Sequence, residues 1–265
     1  MTTHVLIACS KTKYFEPLEE LKWSTNTDIK TWKKIWNNQE VKYFPNELYR
    51  GRSFRNQIEI VESFEEVKLH VISAGAGLLS ISDKIPSYEA TFLSNLGPKV
   101  SQWHELPLGG IGKLQINKND SIVSFAPPRY HLALLKDPNI ENIASKLIVP
   151  STSPLASVSK IVIQIHPRAK EVLEVGSSDI NTSFLHIYLS EGVEGFERIF
   201  NEGEKLQPKI QRKSISDEEL WELVNNLQDY KVLNSLVRHL RDDLLIKASV
   251  ERISRAMKAR NESVS

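Results

Sequence analysis

Two carboxylates and an aromatic ring, Asp83, Tyr88 and Glu89, stand close together after a strand-like run of residues. A carboxylate can act as a general acid or base, or can balance a positive charge that develops on a substrate. The sequence therefore predicts a catalytic loop in which either Glu89 or Asp83 acts. The alternative is a polar loop in which Asp83 caps a turn and Tyr88 packs into the core.

The run before this loop is predicted to position it. Residues 69–72 are apolar and rich in β-branched side chains, which is typical of a buried parallel strand. The small residues that follow, among them Ser73 and Gly75, allow a sharp turn and the close approach of another molecule. Because ligands of open α/β sheets bind beyond the carboxyl ends of strands, Ser73 and Gly75 are predicted to contact the substrate.

The first predicted strand, residues 5–9, also runs into residues that suit an anion. Ser10, Lys11 and Lys13 supply a hydroxyl and two ammonium groups next to backbone amides. These groups are therefore predicted to bind a phosphate. The glycine pattern of a nucleoside triphosphatase P-loop is absent, so the turn is not predicted to be one. A solvated basic turn is the alternative.

Two arginines, Arg50 and Arg52, precede an amphipathic helix that is predicted over residues 53–65. Arginines at a helix N-terminus favour a phosphate, because the guanidinium fork and the helix dipole both attract it. Exposed arginines on a loop are the alternative.

Two later segments add polar and aromatic candidates. The predicted strand 121–126 ends shortly before Tyr130 and His131, and histidine suits acid–base work near neutral pH. Asn181 lies in a polar cluster that is predicted to cap a helix over residues 184–189. Helix capping explains most of that cluster, and Asn181 is also a candidate for contact with a base edge.

Further strands are predicted over residues 146–149 and 160–165. Together with the helical segments between them, these runs predict an α/β fold with a mainly parallel sheet, whose strand exits share one rim. Trp32 and Trp36 are four residues apart and share a face of a predicted helix, which favours burial in the core over stacking on an unpaired base.

The composition is that of an ordinary globular protein. Of 265 residues, 40% are hydrophobic and 25% charged, with a formal net charge of +1. No run approaches the ~18 apolar residues of a membrane span, and no secretory signal precedes residues 5–8, so a cytoplasmic protein without a membrane partner is expected. Cys9 is the only cysteine in the sequence, which excludes an intrachain disulfide. The histidines lack the spacing of metal ligands, so no metal is predicted, and no cofactor is predicted either.

The chain is predicted to form two domains, a catalytic domain over residues 1–203 and a helical module over 214–260. A polar linker, residues 203–213, separates them. The module starts with a capping box at residues 216–219, and its last helix carries Arg252 and Arg255. That helix is predicted to follow a phosphate backbone; a lid or an oligomerisation arm fits equally well, and the sequence does not predict an oligomeric state.

Three motifs give a resemblance. ACSKTK at 8–13, LYRGRSF at 48–54 and ISAGAGLLSISDKIPSYEATF at 72–92 resemble an uncharacterised bacterial and phage domain family, over about the first third of the chain. The family's pattern is a first strand ending in CSK-x-K, an LY-x-G-x-x-F helix start, and a strand followed by SA-x-x-GLL. That family is distantly similar to peroxide-stress DNA-binding proteins and to the uracil-DNA-glycosylase-like domains, which implies a three-layer sandwich.

Uracil-DNA glycosylases offer a second comparison. They carry an early GL-x-FS segment after a catalytic acid and a late HPSPLS motif, and this chain is similar at residues 77–80 and 151–157. The histidine of the late motif is replaced by Pro150 or Ser151, and the acid before the early segment is missing. These departures argue against ordinary uracil excision.

The resemblance implies a DNA glycosylase-like hydrolase that excises a modified base, such as a glucosylated hydroxymethyl cytosine, from phage DNA in antiviral defence. In that role Glu89 or Asp83 positions the attacking water or stabilises the positive charge on the sugar. His131 assists the departing base, and Tyr88 or Tyr130 stacks on the flipped ring. A non-enzymatic DNA-binding stress protein and a nucleotide or nucleoside hydrolase or transferase are the alternatives.

Overall fold

A computed structural model describes residues 1–92, 94, 96–207 and 212–263. The chain divides into two compact units, Met1–Lys205 and Leu206–Ser265. Each has its own hydrophobic core.

The first unit is built on one six-stranded sheet. Its strands are β1 (Thr3–Ala8), β2 (Val67–Ser73), β3 (Gly77–Ser80), β4 (Ser121–Ser124), β5 (Leu147–Pro150) and β6 (Ile161–Ile163). Their order is β3-β2-β1-β4-β5-β6, and all neighbours are parallel except β2 and β3. The predicted α/β class with a mainly parallel sheet is confirmed.

Helices enclose the sheet and complete a three-layer sandwich. They are α1 (Ile29–Asn37), α2 (Pro45–Leu48), α3 (Arg52–Glu62), α4 (Pro128–Leu135), α5 (Glu141–Ala144), α6 (Ala169–Val172), α7 (Ile180–Glu191) and α8 (Glu194–Glu204). Short 3-10 helices lie at Glu19–Leu21, Val100–Glu105, Ile111–Lys113 and Pro154–Ser157. Helix α3 packs against β1, β2 and α7, so it joins the sheet to the chain that follows β6.

The apolar runs identified in the sequence are the central strands. In β1 the side chains of Val5, Leu6 and Ile7 are buried, as expected for a strand with helices on both faces. The tryptophans of α1 are core residues, because Trp32 and Trp36 are both buried and their rings tilt against each other at 6.0 Å.

Three expectations for local structure are wrong. The chain after residue 76 turns back as β3, which pairs antiparallel with β2 and puts a hairpin where only a loop was expected. The apolar residues Phe92, Leu93 and Leu96 predict a helix after Glu89, but the chain makes turns and bends at Phe92 and Leu96; Leu93 lies outside the described residues. Helix α8 continues to Glu204, so the linker begins later than residue 203.

The second unit is a small helical module. It contains β7 (Lys213–Ser214), α9 (Asp217–Asn226), α10 (Leu233–Arg238), a π-helical turn (His239–Asp243), β8 (Ile246–Lys247) and α11 (Val250–Ser263), with β7 parallel to β8. The predicted capping box starts α9: the Glu219 amide donates to Ser216 Oγ at 3.1 Å, and the Ser216 amide to Glu219 Oε2 at 2.8 Å. Residues 208–211 of the expected linker lie outside the described residues.

Two features are absent from the described part of the chain. None of the helices described has both the length and the apolar character that crossing a membrane requires. Among the same residues, no group of three or more histidine, cysteine, aspartate or glutamate side chains could hold a metal ion.

His131 makes folding stability depend on pH. Burial lowers its pKa to about 4, against ~6.5 in an unfolded chain. Between these values the unfolded chain binds the proton and the folded one does not, so stability is full above pH ~6.5 and falls as the pH drops towards 4. Between pH ~6.5 and ~5 the unfolding free energy of the wild type should fall as the pH is lowered. We expect His131→Gln to reduce the slope of this fall by up to ~1.4 kcal/mol per pH unit, measured by urea titrations. The exposed His186→Gln is the matched control, and an unchanged slope in the His131 variant would contradict this account.

Candidate functional site

A pocket of about 320 Å³ lies at the carboxyl ends of β1 and β4. The chain leaves β1 towards β2 on one side and later returns to β4 on the other, so this is the point where the strand order reverses. Open α/β sheets bind their ligands in such a crevice. The lining residues are all uncharged: Ala8, Cys9, Ser10, Gly51, Ser53, Phe54, Gln57, Phe125, Ala126, Pro127, Ser177, Ser178 and Asn181.

Two phenylalanines of the lining are fixed by neighbouring rings. Phe125 stacks on Phe196 at 5.7 Å between centroids, and Phe54 meets the edge of Tyr49 at 4.9 Å. Rings held in this way need little reordering when a ligand binds, which favours binding.

The residues after β1 form a tight turn against the start of α3. The Gly51 amide donates to Ser10 Oγ at 3.1 Å, and the Ser10 hydroxyl donates to the Thr12 carbonyl at 3.0 Å. A Cβ at Gly51 would lie 2.4 Å from Ser10 Oγ, so a side chain there would displace the Ser10 hydroxyl from this position. Ser10 therefore lines the pocket, but the structure uses its hydroxyl proton inside the turn.

The predicted phosphate-binding cations lie around this turn, and each of them has different neighbours. Lys11 and Arg50 are exposed, and the Arg50 guanidinium lies 5.9 Å from the ring centroid of Tyr14. Arg52 is already bound, since its Nη2 donates to both carboxylate oxygens of Asp179 at 2.9 and 2.8 Å. An incoming phosphate would have to compete with Asp179 for Arg52.

Lys13 points inward. Its Nζ lies 4.4 Å from the ring centroid of Tyr88, and burial lowers its pKa, against the opposing effects of Cys9 and Glu89. A half-buried ammonium on an aromatic face is not placed as the predicted phosphate contact.

Tyr88 is a core residue and offers no surface for a flipped base, as the alternative interpretation of the loop expected. It is 1% exposed, and its hydroxyl bonds Tyr49 Oη at 2.7 Å and Ser73 Oγ at 2.5 Å. Burial raises its pKa well above the usual range. Ser73 also accepts from the amides of Gly75 and Ala76 at 3.2 and 2.9 Å, so the predicted substrate contacts are used within the protein.

The structure does not bring the two carboxylates together. Glu89 is exposed, and its backbone is fixed because its amide donates to the Leu21 carbonyl and its carbonyl accepts from the Trp23 amide, both at 2.8 Å. Asp83 follows β3, which runs back along β2 and ends beside His70, away from the carboxyl edge. Asp83 Oδ2 accepts from the Ser80 amide at 2.7 Å and lies 3.3 Å from Lys113 Nζ, so it caps a turn.

His131 is also unavailable to a substrate. It is 1% exposed, and its Nε2 and Nδ1 bond Ser124 Oγ at 2.8 Å and Ser153 Oγ at 2.7 Å. The neutral imidazole that burial favours can donate to one hydroxyl and accept from the other. The predicted assistance to a departing base is therefore not supported by its position.

Tyr130 and Cys9 are neighbours beside the pocket, with Oη and Sγ 3.6 Å apart. The neighbouring Cys9 and burial both raise the pKa of Tyr130, which keeps its hydroxyl protonated. The ring is half-buried and meets Phe92 edge-on at 5.3 Å.

Gln57 is one of the pocket residues that sequence reasoning missed. It lies on the buried stripe of α3 with Phe54, Ile58 and Val61. A polar residue inside an apolar stripe of an amphipathic helix is a signal that could have found it. Asn181, a predicted contact, does line the pocket from the first turn of α7.

The arginines of the second unit differ from each other. Arg252 is bound within the module, with its Nε donating to Asp217 Oδ1 at 2.6 Å and its Nη2 to the Ile215 carbonyl at 3.0 Å. Arg255 is exposed on the same helix.

Gly75 is required for the packing of Tyr88. A Cβ at Gly75 would overlap the Tyr88 ring, so we expect Gly75→Ala to lower the unfolding free energy by ~1–3 kcal/mol, measured by urea titration. Gly176→Ala is the matched control, because a Cβ there would meet its nearest atom at an ordinary 3.7 Å. Equal stability of the two variants would show that the Tyr88 ring moves freely.

The chain matches no protein-family model, no curated protein and no solved structure. Its function must therefore follow from the chemistry of the pocket and its surroundings.

Proposed function

We propose that the protein is a DNA glycosylase-like hydrolase, which takes a modified base out of phage DNA and cleaves its N-glycosidic bond in antiviral defence. The observation that carries this proposal is the uncharged pocket at the β1/β4 switch point, lined by two fixed phenylalanines and two amide side chains. Base-flipping enzymes hold the extruded base in such surroundings, between apolar side chains and hydrogen-bonding groups.

The charge distribution supports a polymeric substrate. The pocket lining holds no charged side chain, while Lys11 and Arg50 are exposed on the segments that form it. A neutral base would enter the pocket, and the phosphates on either side of it would remain outside near these cations. Tyr130 stays a candidate for contact with the substrate beside the pocket.

Glu89 is the proposed carboxylate. It is exposed, its backbone is fixed, and its charge reaches Lys13 next to the turn that leaves β1. Cleavage of the glycosidic bond develops positive charge on the sugar, which a carboxylate can balance while it orients the attacking water.

A second candidate is binding of DNA or of a nucleotide without hydrolysis. The observation that favours it is that the carboxylate lies outside the pocket lining. Incubation with plain, hydroxymethylated and glucosylated duplexes separates the two, because only the hydrolase leaves abasic sites, whereas both shift the DNA on a native gel.

We expect Glu89→Gln to reduce base release by ~10²-fold or more with the fold intact, since the amide cannot balance the charge on the sugar. Asp83→Asn is the control, because Asp83 caps the turn after β3 and should affect stability rather than turnover. Single-turnover rates of base release, with unfolding curves for both variants, provide the measurement. Loss of activity only in the Asp83 variant would exchange the two roles, and full activity of both would make this loop structural.

The two arginines of α11 should behave differently. Arg255→Ala should weaken binding to all duplexes alike and flatten the slope of log affinity against log salt by ~0.9 for one lost phosphate contact. Arg252→Ala should lower the stability of the module by about 1 kcal/mol, because it removes the bonds to Asp217 and Ile215. Affinities over a salt series and thermal melts test both; an unchanged slope for Arg255→Ala would assign α11 to packing or assembly.

A further inference from the structure

Gln57 is 7% exposed and lines the pocket, and its amide has no hydrogen-bond partner among the described residues. The fully enclosed side-chain nitrogens and oxygens that lack a partner in the described residues are His4 Nε2 and His104 Nδ1, so the Gln57 amide is open to the pocket and can bond a ligand there. An amide offers two donors and an acceptor at once. In a pocket, that combination fits a ligand edge carrying both an acceptor and a donor.

Two helices begin at the same pocket. Helix α3 has 11 residues and α7 has 12, and neither N-cap side chain bonds a first-turn amide. Ser53 and Asn181, in those first turns, both line the pocket. The first amides of a helix have no partner within it and carry a partial positive charge, so the two N-termini favour electron-rich ligand atoms.

Two of the charged groups near these N-termini are paired with each other. Asp179, the N-cap residue of α7, is bound by Arg52 and lies outside the pocket lining. The helix ends therefore meet an uncharged pocket lining, where fixed dipoles are effective.

We propose that the pocket binds the carbonyl-bearing edge of a nucleobase, with Gln57 pairing to that edge and the N-termini of α3 and α7 stabilising the negative charge that the base gains as it departs. This inference rests on the proposed function and extends it. It assigns to Gln57 and the two helix ends the leaving-group role for which His131 is too deeply buried.

The reaction balances without a further reagent. The bond between C1′ and the base nitrogen breaks, and its electron pair goes to the base, where the ring and its carbonyl oxygen share the charge. A water oxygen bonds to C1′ and gives a proton to Glu89. The base takes up a proton from solvent on release.

Binding of free bases tests the site without any DNA. Cytosine, 5-hydroxymethylcytosine and uracil are titrated into the wild-type protein and into Gln57→Leu, with affinity measured by calorimetry. We expect the wild type to bind at least one base, and Gln57→Leu to bind it ~10-fold or more weakly, a loss of about 1.4 kcal/mol. Gln164→Leu is the matched control, because Gln164 lines a different pocket, of about 390 Å³, at the β6 edge.

Thermal stability supplies a second readout. Leucine at position 57 fits the apolar stripe, and the amide that it removes makes no bond within the described part of the protein, so we expect Gln57→Leu to have a melting midpoint equal to or above that of the wild type. A lower midpoint together with unchanged base affinity would show a structural role and overturn the inference. Absence of binding by the wild-type protein to all three bases would also overturn it.

The two proposals fail separately. Base binding that depends on Gln57, without abasic sites in any duplex, would retain the base site and remove the hydrolase. Abasic sites formed equally by the wild type and by Gln57→Leu would retain the hydrolase and remove the role of Gln57. A comparison of substrates separates stabilisation of the departing charge from binding. If the pocket stabilises that charge, the difference in rate between the wild type and Gln57→Leu should be smaller for a base that leaves more easily. A difference that is the same for all bases would limit Gln57 to binding.

Discussion

The parallel pairing of β1 with β2 on one side and with β4 on the other is the constraint on which the pocket depends. Leu6 stands in register with His70 of β2 and with Ser124 of β4, so the exits of all three strands lie at one edge. The connections leave this edge in opposite directions, which keeps the crevice between β1 and β4 uncovered. Helix α3 joins β1 to β2, and its N-terminus consequently begins beside the crevice.

The same constraint explains why Asp83 and Glu89, which are close in the sequence, lie in different parts of the fold. The chain turns after Ser73 and pairs back on β2, so four residues of β3 carry Asp83 towards the opposite edge before the loop returns with Tyr88. Tyr88 then packs over Gly75, where its hydroxyl completes a buried chain with Ser73 and Tyr49. Such a chain stabilises the fold only when every member is bonded, which leaves none of these groups for a ligand.

Much of this architecture could be predicted from the sequence, because buried parallel strands are apolar runs and the sequence has one such run for each of the five parallel strands of the six-stranded sheet. Ser10 was predicted as a site residue because it follows a strand, and Asn181 because it lies near the start of a helix; both line the pocket. The hairpin could not be predicted, since the four residues of β3 show no alternation. The burial of Tyr88 depends on Gly75 and Tyr49, which approach it only after the sheet has formed.

Two buried polar side chains, His131 and Gln57, show how satisfaction of hydrogen bonds separates structure from function. His131 has a serine hydroxyl at each ring nitrogen, so its burial is compensated and it joins β4 to the segment after β5. Gln57 is mostly buried as well, but its amide opens into a pocket at which two helices begin and has no partner among the described residues. A ligand with a complementary edge could bond this amide without breaking any bond of the protein. For this reason we assign the contact with the base to Gln57 rather than to the histidine that sequence reasoning favoured.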